Sequence, residues 1–524
     1  MTEGTKTVAG RILWVDDEVD LLRPHLMLLR SSGYHVDAVM NGQDAMELLT
    51  AASYDLVLLD ERMPGLRGIE VLDRIRSSAP RLPVVMVTKS EEESTMHEAI
   101  GRRADDYIVK PTSPRQVLSV VTRLLAGPAL RHEHITRDFS RRFGELRERV
   151  STATSWRDWA DLYSELVDWD LRLEEAGESG LREILKGLHT ELSRGFCDLV
   201  ADRYGEWVHE GGERGPTLSV DVLPRFFRPI LDEDPAALLV VMDCMRLDQW
   251  RAVLPIVSEH FEIEEALYAG LLPTATPFAR NAIFGGIFAD ELAERRPDWW
   301  ERGSEIGYNS FEDELFERQI HELTASRIPV HYEKIFSAQE SEPMLARLGG
   351  YLSSPSATAL VFGFVDMLTH GRARSRLIWE MAQDTSALRS LTVTWFERSP
   401  ALKALRLAAQ RGVRVLLTTD HGSIHCKRPA TIYAGRDAST SLRYKIGDDM
   451  KVENPAAVMS TSDADEWRLP PGGMKQTFAL CREDYFFVYP TRLREYQNRY
   501  RDSFLHGGVS PDEMVLPAAL LTPR

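Results

Sequence analysis

The chain has only four cysteines in 524 residues, and none stands in a CxxC pair. Cys197, Cys244, Cys426 and Cys481 are scattered, so no disulfide framework is expected and a reducing compartment is the natural setting. No run of eighteen or more apolar residues occurs, and no apolar helical span is expected. The first residues, MTEGTKTVAGRILWVDDE, lack an apolar stretch between a basic start and a cleavage site, so no secretory leader is expected. These features together read as a cytoplasmic protein. Net positive charge is also missing: 63 Lys+Arg against 80 Asp+Glu leave −17. That balance opposes non-specific wrapping of DNA. No C-terminal helix-turn-helix pattern supports a DNA-binding role. The stretch 131–149 is basic, but its acids make it read as a linker helix with a solvated face. No internal repeat or low-complexity tract is evident.

A hydrophobic fraction of 43% and a charged fraction of 27% are ordinary for globular protein. At roughly 100–200 residues per domain, two to four domains are expected. The fold class read from the pattern is α/β throughout, with a helical bundle between two α/β ends. The boundaries fall at 8–127, 128–215 and 216–524.

In the first segment short apolar runs alternate with amphipathic helical stretches. Ile12–Val15, Tyr34–Ala38, Leu56–Leu59, Val84–Val87 and Tyr107–Val109 read as five buried strands. That alternation predicts a doubly wound parallel sheet of order 2-1-3-4-5. The carboxyl ends of its strands converge on one pocket beside the switch point. Asp16, Asp17, Asp60, Thr88 and Lys110 stand at those ends. Clustered carboxylates suit Mg²⁺, a hard cation that prefers oxygen. The metal and Lys110 would offset charge on phosphoryl oxygens during in-line transfer, and Thr88 offers a hydroxyl to the new phosphate. A single Asp or Lys at a strand end reads equally well as solvated; five at the right ends together do not.

This segment resembles response-regulator receiver domains. The resemblance implies that Asp60 is the phosphoacceptor, with Asp16 and Asp17 as the acidic pair that holds Mg²⁺ with it. Thr88 matches the switch hydroxyl and Lys110 the partner lysine. Tyr107 stands at the aromatic switch position, where a half-buried aromatic without a signalling role is the competing reading. A sensor histidine kinase is the implied partner.

Gly127-Pro128 is expected to end the receiver pattern. Segments 131–149, 155–174, 180–193 and 195–208 then carry helical spacing. Trp156, Trp159, Leu162, Leu166 and Trp169 make an apolar stripe, read as core. Further on, Ala236–Met242, Ala357–Val365 and Val413–Thr418 are apolar runs, each followed at once by polar residues. Parallel strands that deliver ligands from their carboxyl ends look like this. The charge-rich stretch 286–350 reads as a mostly helical insertion.

Four clusters carry chemistry in this last part: Asp243-Cys244-Met-Arg246-Leu-Asp248, Pro-Thr274-Ala-Thr276 with Arg280-Asn281, Asp366-x-x-x-His370, and Asp420-His421-Gly. His506-Gly-Gly is a weaker fifth. Asp366 and His370 lie four apart, so at a helix start they share a face and can grip one ion. Carboxylate plus imidazole suits Zn²⁺, with Mn²⁺ as second choice. Two such pairs suggest two ions roughly 4 Å apart that clamp attacking and leaving oxygens. A threonine oxygen bound to such an ion becomes a nucleophile.

The ordered set resembles the alkaline phosphatase superfamily, and within it the PglZ branch, over about 225–524. The resemblance implies that Asp243, Thr276, Asp420 and His421 hold one ion. Asp366, His370 and His506 hold the other. Thr276 is then the nucleophile, with Thr274 as its rival or as a turn-capping hydroxyl. His506 alone before two glycines also reads as a plain loop residue. His425 reads as an outer-shell or packing histidine, and Cys244 and Cys426 as small buried residues. Arg246, Arg280 and Asn281 either contact phosphate or form structural pairs.

Receiver, linker and PglZ domain in one chain resemble the PorX type of response regulator. That resemblance implies a phosphodiesterase acting on nucleotide or oligonucleotide diesters and control of type IX secretion; a phosphorylation-promoted homodimer is expected because twofold pairing is the commonest assembly. The contrasting expectation is a catalytically weak, metal-bound signalling module that binds a sigma factor or a secretion component.

Overall fold

The computed structural model describes residues 10–524 apart from 81, 89–103, 212–214, 301–308, 325–327, 373–374, 436–437 and 474. The loop after Thr88, expected to rearrange on phosphorylation, therefore lies outside the described residues. The chain divides into two compact units, Met1–Ser140 and Arg141–Arg524. No helix among the described residues is long and apolar enough to cross a membrane.

The first unit is built on strands β1 (Arg11–Val15), β2 (His35–Val39), β3 (Leu56–Asp60), β4 (Val84–Thr88) and β5 (Asp106–Val109). Their order is β2-β1-β3-β4-β5, every pair parallel, as the alternating pattern predicts. Side chains alternate across the sheet. Ile12, Trp14, Leu56 and Leu58 enter one core; Leu13, Val15, Val57 and Leu59 enter the other. Both faces are therefore covered, and polar chemistry is left to the strand ends. Helix Gly42–Ala51 is capped by Asn41, whose side chain accepts from the Asp44 amide. Gly68 opens helix Gly68–Ser78, where an added Cβ would lie 2.2 Å from the Asp60 carbonyl oxygen. Only glycine fits that close to the end of β3.

Gly127-Pro128 does not break the chain. Helix Pro114–Thr152 runs through it for 39 residues. One backbone bond lost at a proline is outweighed by the cooperative helix on either side.

In the second unit the expected segments 180–193 and 195–208 are one helix, Ser179–Glu210. It packs on helix Trp156–Glu175, and Gly195, the first residue of the second expected segment, is a point of contact. An added Cβ there would meet the Trp159 ring at 2.3 Å. Trp159, Leu162, Leu166 and Trp169 are buried, as the stripe implies, while Trp156 is half-buried.

The main sheet holds β6 (Ala236–Met242), β7 (Phe261–Ala269), β8 (Val330–Ile335), β9 (Ser356–Phe362), β10 (Val415–Thr418) and the C-terminal strand Val515–Pro523. Its order is β7, C-terminal strand, β10, β6, β9, β8. β10, β6, β9 and β8 are mutually parallel; the C-terminal strand is antiparallel to both β10 and β7. The described residues of 286–350 are mostly helical, as expected, but the stretch also supplies β8. That strand is a half-buried edge with alternating polar residues, so no apolar run announces it. The run Ala357–Val365 likewise ends early. Gly363, packed under the Phe336 ring, turns β9 into helix Phe364–Arg372.

Candidate functional sites

At the end of the receiver sheet, ligand atoms of Asp16, Asp17 and Asp60 lie within 4.8 Å of one another. Lys110 Nζ stands 2.8 Å from Asp16 Oδ2 and 3.2 Å from Asp60 Oδ2. Burial pushes the Asp60 carboxyl up to about 6; the Lys110 charge opposes this and Asp16 adds to it. Thr88 donates to Glu61 Oε2 at 2.5 Å, and Glu61 is buried directly after Asp60. The sequence reading passed over Glu61, since an acid after an aspartate carries no pattern. Tyr107 is 37% exposed.

In the second unit the topology explains why distant residues meet. β6, β9 and β10 end at one edge of the sheet. β7 ends there too, and the antiparallel C-terminal strand begins there. Asp243 follows β6, and Asp420-His421 follow β10 by two residues. Asp366 and His370 sit on helix Phe364–Arg372 after β9, with His370 Nε2 3.2 Å from Asp366 Oδ1. The turn after β7 leads to Thr276, first residue of helix Thr276–Gly285. His506 arrives on the approach to the C-terminal strand, after the strand Ser503–Leu505 that pairs with Ile424–Cys426.

Two clusters result: Asp243, Asp420 and His421, all buried, and Asp366, His370 and His506. In each, the ligand atoms lie within 4.8 Å of one another. The clusters adjoin. The His421 and His506 rings stack at 4.3 Å, and His370 Nε2 is 3.0 Å from His506 Nε2. Thr276 Oγ1 is 3.1 Å from His421 Nε2, and Thr276 is half-buried among fully buried neighbours. Thr274 is buried instead: its hydroxyl donates to the Gly508 carbonyl at 2.8 Å and accepts from the Gly507 amide at 3.1 Å.

The donor set fits a divalent cation. Asp243 Oδ1 and Asp420 Oδ2 are buried carboxylate oxygens without a hydrogen-bond donor. Such atoms are costly unless a positive charge meets them. Burial pushes the Asp243 carboxyl up to about 7 and that of Asp420 up to about 6, each opposed by Arg280. Burial also works against Asp366, but the hydrogen bond and charge of His370 hold it well below the usual carboxylate range. Burial lowers His421 and His506, which favours the neutral imidazole that binds metal.

Supporting residues are now distinguishable. Cys244 adopts φ 65, and its amide donates to Asp420 Oδ1 at 3.2 Å. Burial raises the Cys244 and Cys426 thiols, so both stay neutral. His425 stacks on Phe504 at 4.8 Å and stands apart from both clusters. Arg246 pairs with Asp248 at 2.8 Å. Asn281 donates to the Pro277 carbonyl at 3.0 Å. Arg280 pairs with Asp243 at 2.5 Å and with Glu312 at 2.7 Å. Glu312, itself bonded by Lys334, Asn309 and Tyr332, anchors this network. Local pattern did not mark Glu312, because it lies in the stretch read as an insertion.

A receiver-type sheet with an acidic pocket, and an α/β sheet with paired Asp/His clusters beside a threonine, define a signalling domain joined to a phosphatase-like domain. Residues 12–122 match the response regulator receiver domain, 129–208 the PorX response regulator linker domain, and 222–521 the BREX system PglZ alkaline phosphatase-like domain. The chain belongs to the PglZ alkaline phosphatase-like family, in the receiver–linker–PglZ order of PorX-type response regulators.

Among curated relatives, the transcriptional regulatory protein ResD of Bacillus subtilis (strain 168) is 43% identical over 120 residues, 23% of this chain and 50% of ResD. SrrA of Staphylococcus aureus (strain NCTC 8325 / PS 47) is 38% identical over 118 residues, 22% of this chain and 48% of SrrA. The chain spans about half the length of these relatives. Among solved structures, a CheY-like receiver domain protein from Methanospirillum hungatei JF-1 shares 27% identity, covering 22% of this chain and 94% of that one, with TM-score 0.22. The receiver domain of NtrX from Brucella abortus shares 33% identity over 22% of this chain and 98% of that one, with TM-score 0.21.

Proposed function

We propose that this protein is a response regulator phosphorylated on Asp60 by a sensor histidine kinase, and that its PglZ domain is a metal-dependent phosphodiesterase with Thr276 as nucleophile. The observation that carries the reading is the position of Thr276 Oγ1, 3.1 Å from His421 Nε2 of one Asp/His cluster, whose ring stacks on His506 of the other. Thr274 is engaged by Gly507 and Gly508, which favours Thr276 further.

Asp243, Asp420 and His421, with Thr276, would hold one Zn²⁺ or Mn²⁺; Asp366, His370 and His506 would hold another. When bound, these ions supply Lewis acidity to the nucleophile and to the phosphoryl oxygens. Thr276 opens a helix, so a phosphoryl group facing it meets the positive end of the helix dipole. Thr276 Oγ attacks phosphorus, the bond to one ester oxygen breaks, and the alcohol leaves with a proton. Water then cleaves the phosphothreonine and restores the hydroxyl. Arg280 holds Asp243 in place throughout.

In the receiver, Asp16 and Asp17 would hold Mg²⁺ beside Asp60, and Lys110 faces the incoming phosphate. Thr88 then turns from Glu61 toward phospho-Asp60, with Tyr107 following. Phosphorylation pairs two chains in the cytoplasm and changes access to the PglZ site. Nucleotide or oligonucleotide diesters are the proposed substrates. The link to type IX secretion control rests on the PorX-type architecture. The test is turnover of bis-p-nitrophenyl phosphate by zinc-loaded protein, with and without acetyl phosphate. Thr276→Val is expected to lose at least about 10³-fold in kcat. Undiminished turnover in that variant dismisses the nucleophile assignment.

A further inference from the structure

A chain of net charge −17 turns basic just before His506. Helix Leu493–Tyr500, sequence LREYQNRY, contains no buried residue. Arg494, Arg499 and Arg501 are exposed, and none has an ion-pair partner among the described residues. Arg246, Arg280, Arg389 and Arg443, by contrast, are buried, each against a carboxylate. Lys427 is exposed as well. It follows Cys426, whose carbonyl accepts from the Asp502 amide at 2.8 Å, so Lys427 and Arg501 flank the same end of one ladder. Glu495 and Asp502 are the acids of this stretch.

Aromatic rings interleave with the cations. Tyr489 and Tyr496 lie 5.7 Å apart, Tyr496 and Tyr500 5.5 Å. The Arg499 guanidinium stands 5.2 Å from the Tyr500 ring centroid. Tyr496 and Tyr500 are half-buried on Ile424, Cys426, Phe486 and Val488, which give them a firm backing.

We infer that Lys427, Arg494, Arg499 and Arg501, with Tyr496 and Tyr500, form a surface that tracks single-stranded nucleic acid toward the Thr276 site. The inference rests on the phosphodiesterase reading and deepens it. Unpaired guanidinium groups neutralise backbone phosphates, and tyrosine rings accept stacked bases irrespective of sequence. An acidic protein tail would use the cations alone, whereas stacked bases also use the open part of the tyrosine rings. Reach sets a length rule. Arg501 is five residues from His506 in sequence. An extended chain of that length spans at most about 17 Å. A stacked strand rises roughly 3.4 Å per nucleotide, so about five nucleotides bridge the distance. Dinucleotides would reach the metal clusters without touching the arginines.

The experiment measures Kd by fluorescence anisotropy for labelled oligothymidylates of about two, four, eight and twelve nucleotides. The full zinc-loaded chain is used, with Thr276→Val to prevent cleavage. Affinity should rise about tenfold or more between the short and long oligomers and fall steeply with salt. The combined variant Lys427→Gln, Arg494→Gln, Arg501→Gln should flatten that length dependence. In the background with Thr276 intact, its kcat/KM on bis-p-nitrophenyl phosphate should match the parent's. A flat length dependence in the parent, unchanged long-oligomer binding in the variant, or equal affinity for polyglutamate each overturns the surface. Length-dependent binding without diester turnover would sink the catalytic reading and leave the surface standing. Turnover with flat binding would do the reverse.

Discussion

Arg280 Nη1 donates to Asp243 Oδ2 at 2.5 Å while its Nε donates to Glu312 Oε1 at 2.7 Å, all three side chains being buried. One guanidinium thus neutralises a candidate metal ligand and an outer carboxylate together. Arg280→Met would leave Asp243 without its ion-pair partner, while Glu312 keeps Lys334. In zinc-free protein it should cost about 3–5 kcal/mol, read by urea unfolding of the intact chain. Zinc should recover more stability in the variant than in the parent, because the cation takes over part of the lost charge. An equal gain in both would show that Arg280 and the cation do not share Asp243.

His506 links the clusters through its stack on His421 and its contact with His370. His506→Ala should lower zinc content from two ions per chain to about one, because the second cluster keeps only Asp366 and His370. Elemental analysis after dialysis reads this directly. Two ions retained in the variant would remove His506 from the ligand set.

The two threonines should separate cleanly. Thr274→Val strips partners from the buried Gly507 amide and Gly508 carbonyl, costing about 1–3 kcal/mol of stability. Thr276→Val should leave stability nearly unchanged while abolishing turnover. Denaturation curves and diester rates on both variants decide the matter; the opposite pattern would exchange the two roles.

Asp60 gives the receiver a pH dependence of definite sign. Burial raises its carboxyl from 3.8 to about 6, so the folded state binds the proton more tightly than the unfolded chain. The associated stability is full below the unfolded value and is lost as pH rises through about 6. Without magnesium, the receiver's calorimetric transition should fall between about pH 4 and 7, by about 1–3 kcal/mol in stability. Magnesium should restore it, and Asp60→Asn should erase the pH dependence. A variant as pH-sensitive as the parent would place the effect elsewhere.

The buried parallel strands are legible in local pattern. Parallel strands covered on both faces become continuous apolar runs, and the first acid after such a run marks the ligand edge. Asp16, Asp60, Asp243 and Asp420 were visible for this reason. β8 was not, since an edge strand with polar alternation looks like a charged helix. β7 and the C-terminal strand were missed as well. β7 alternates acids with apolar residues, as Phe-Glu-Ile-Glu-Glu, and the C-terminal strand has prolines near both ends. Gly127-Pro128 acts in the opposite direction, because helix cooperativity outweighs local propensity.

The sequence by itself determined the two α/β halves, the acidic pocket around Asp60, and the Asp366–His370 pair, because each depends on neighbours in the chain or on a repeated strand-to-polar transition. Only the tertiary structure decided that His506 meets His370, that Thr276 faces His421 while Thr274 turns into the loop, and that Arg280 serves Asp243. Those contacts join segments brought to one sheet edge by strand order and antiparallel return, and a linear pattern holds no record of which edges coincide.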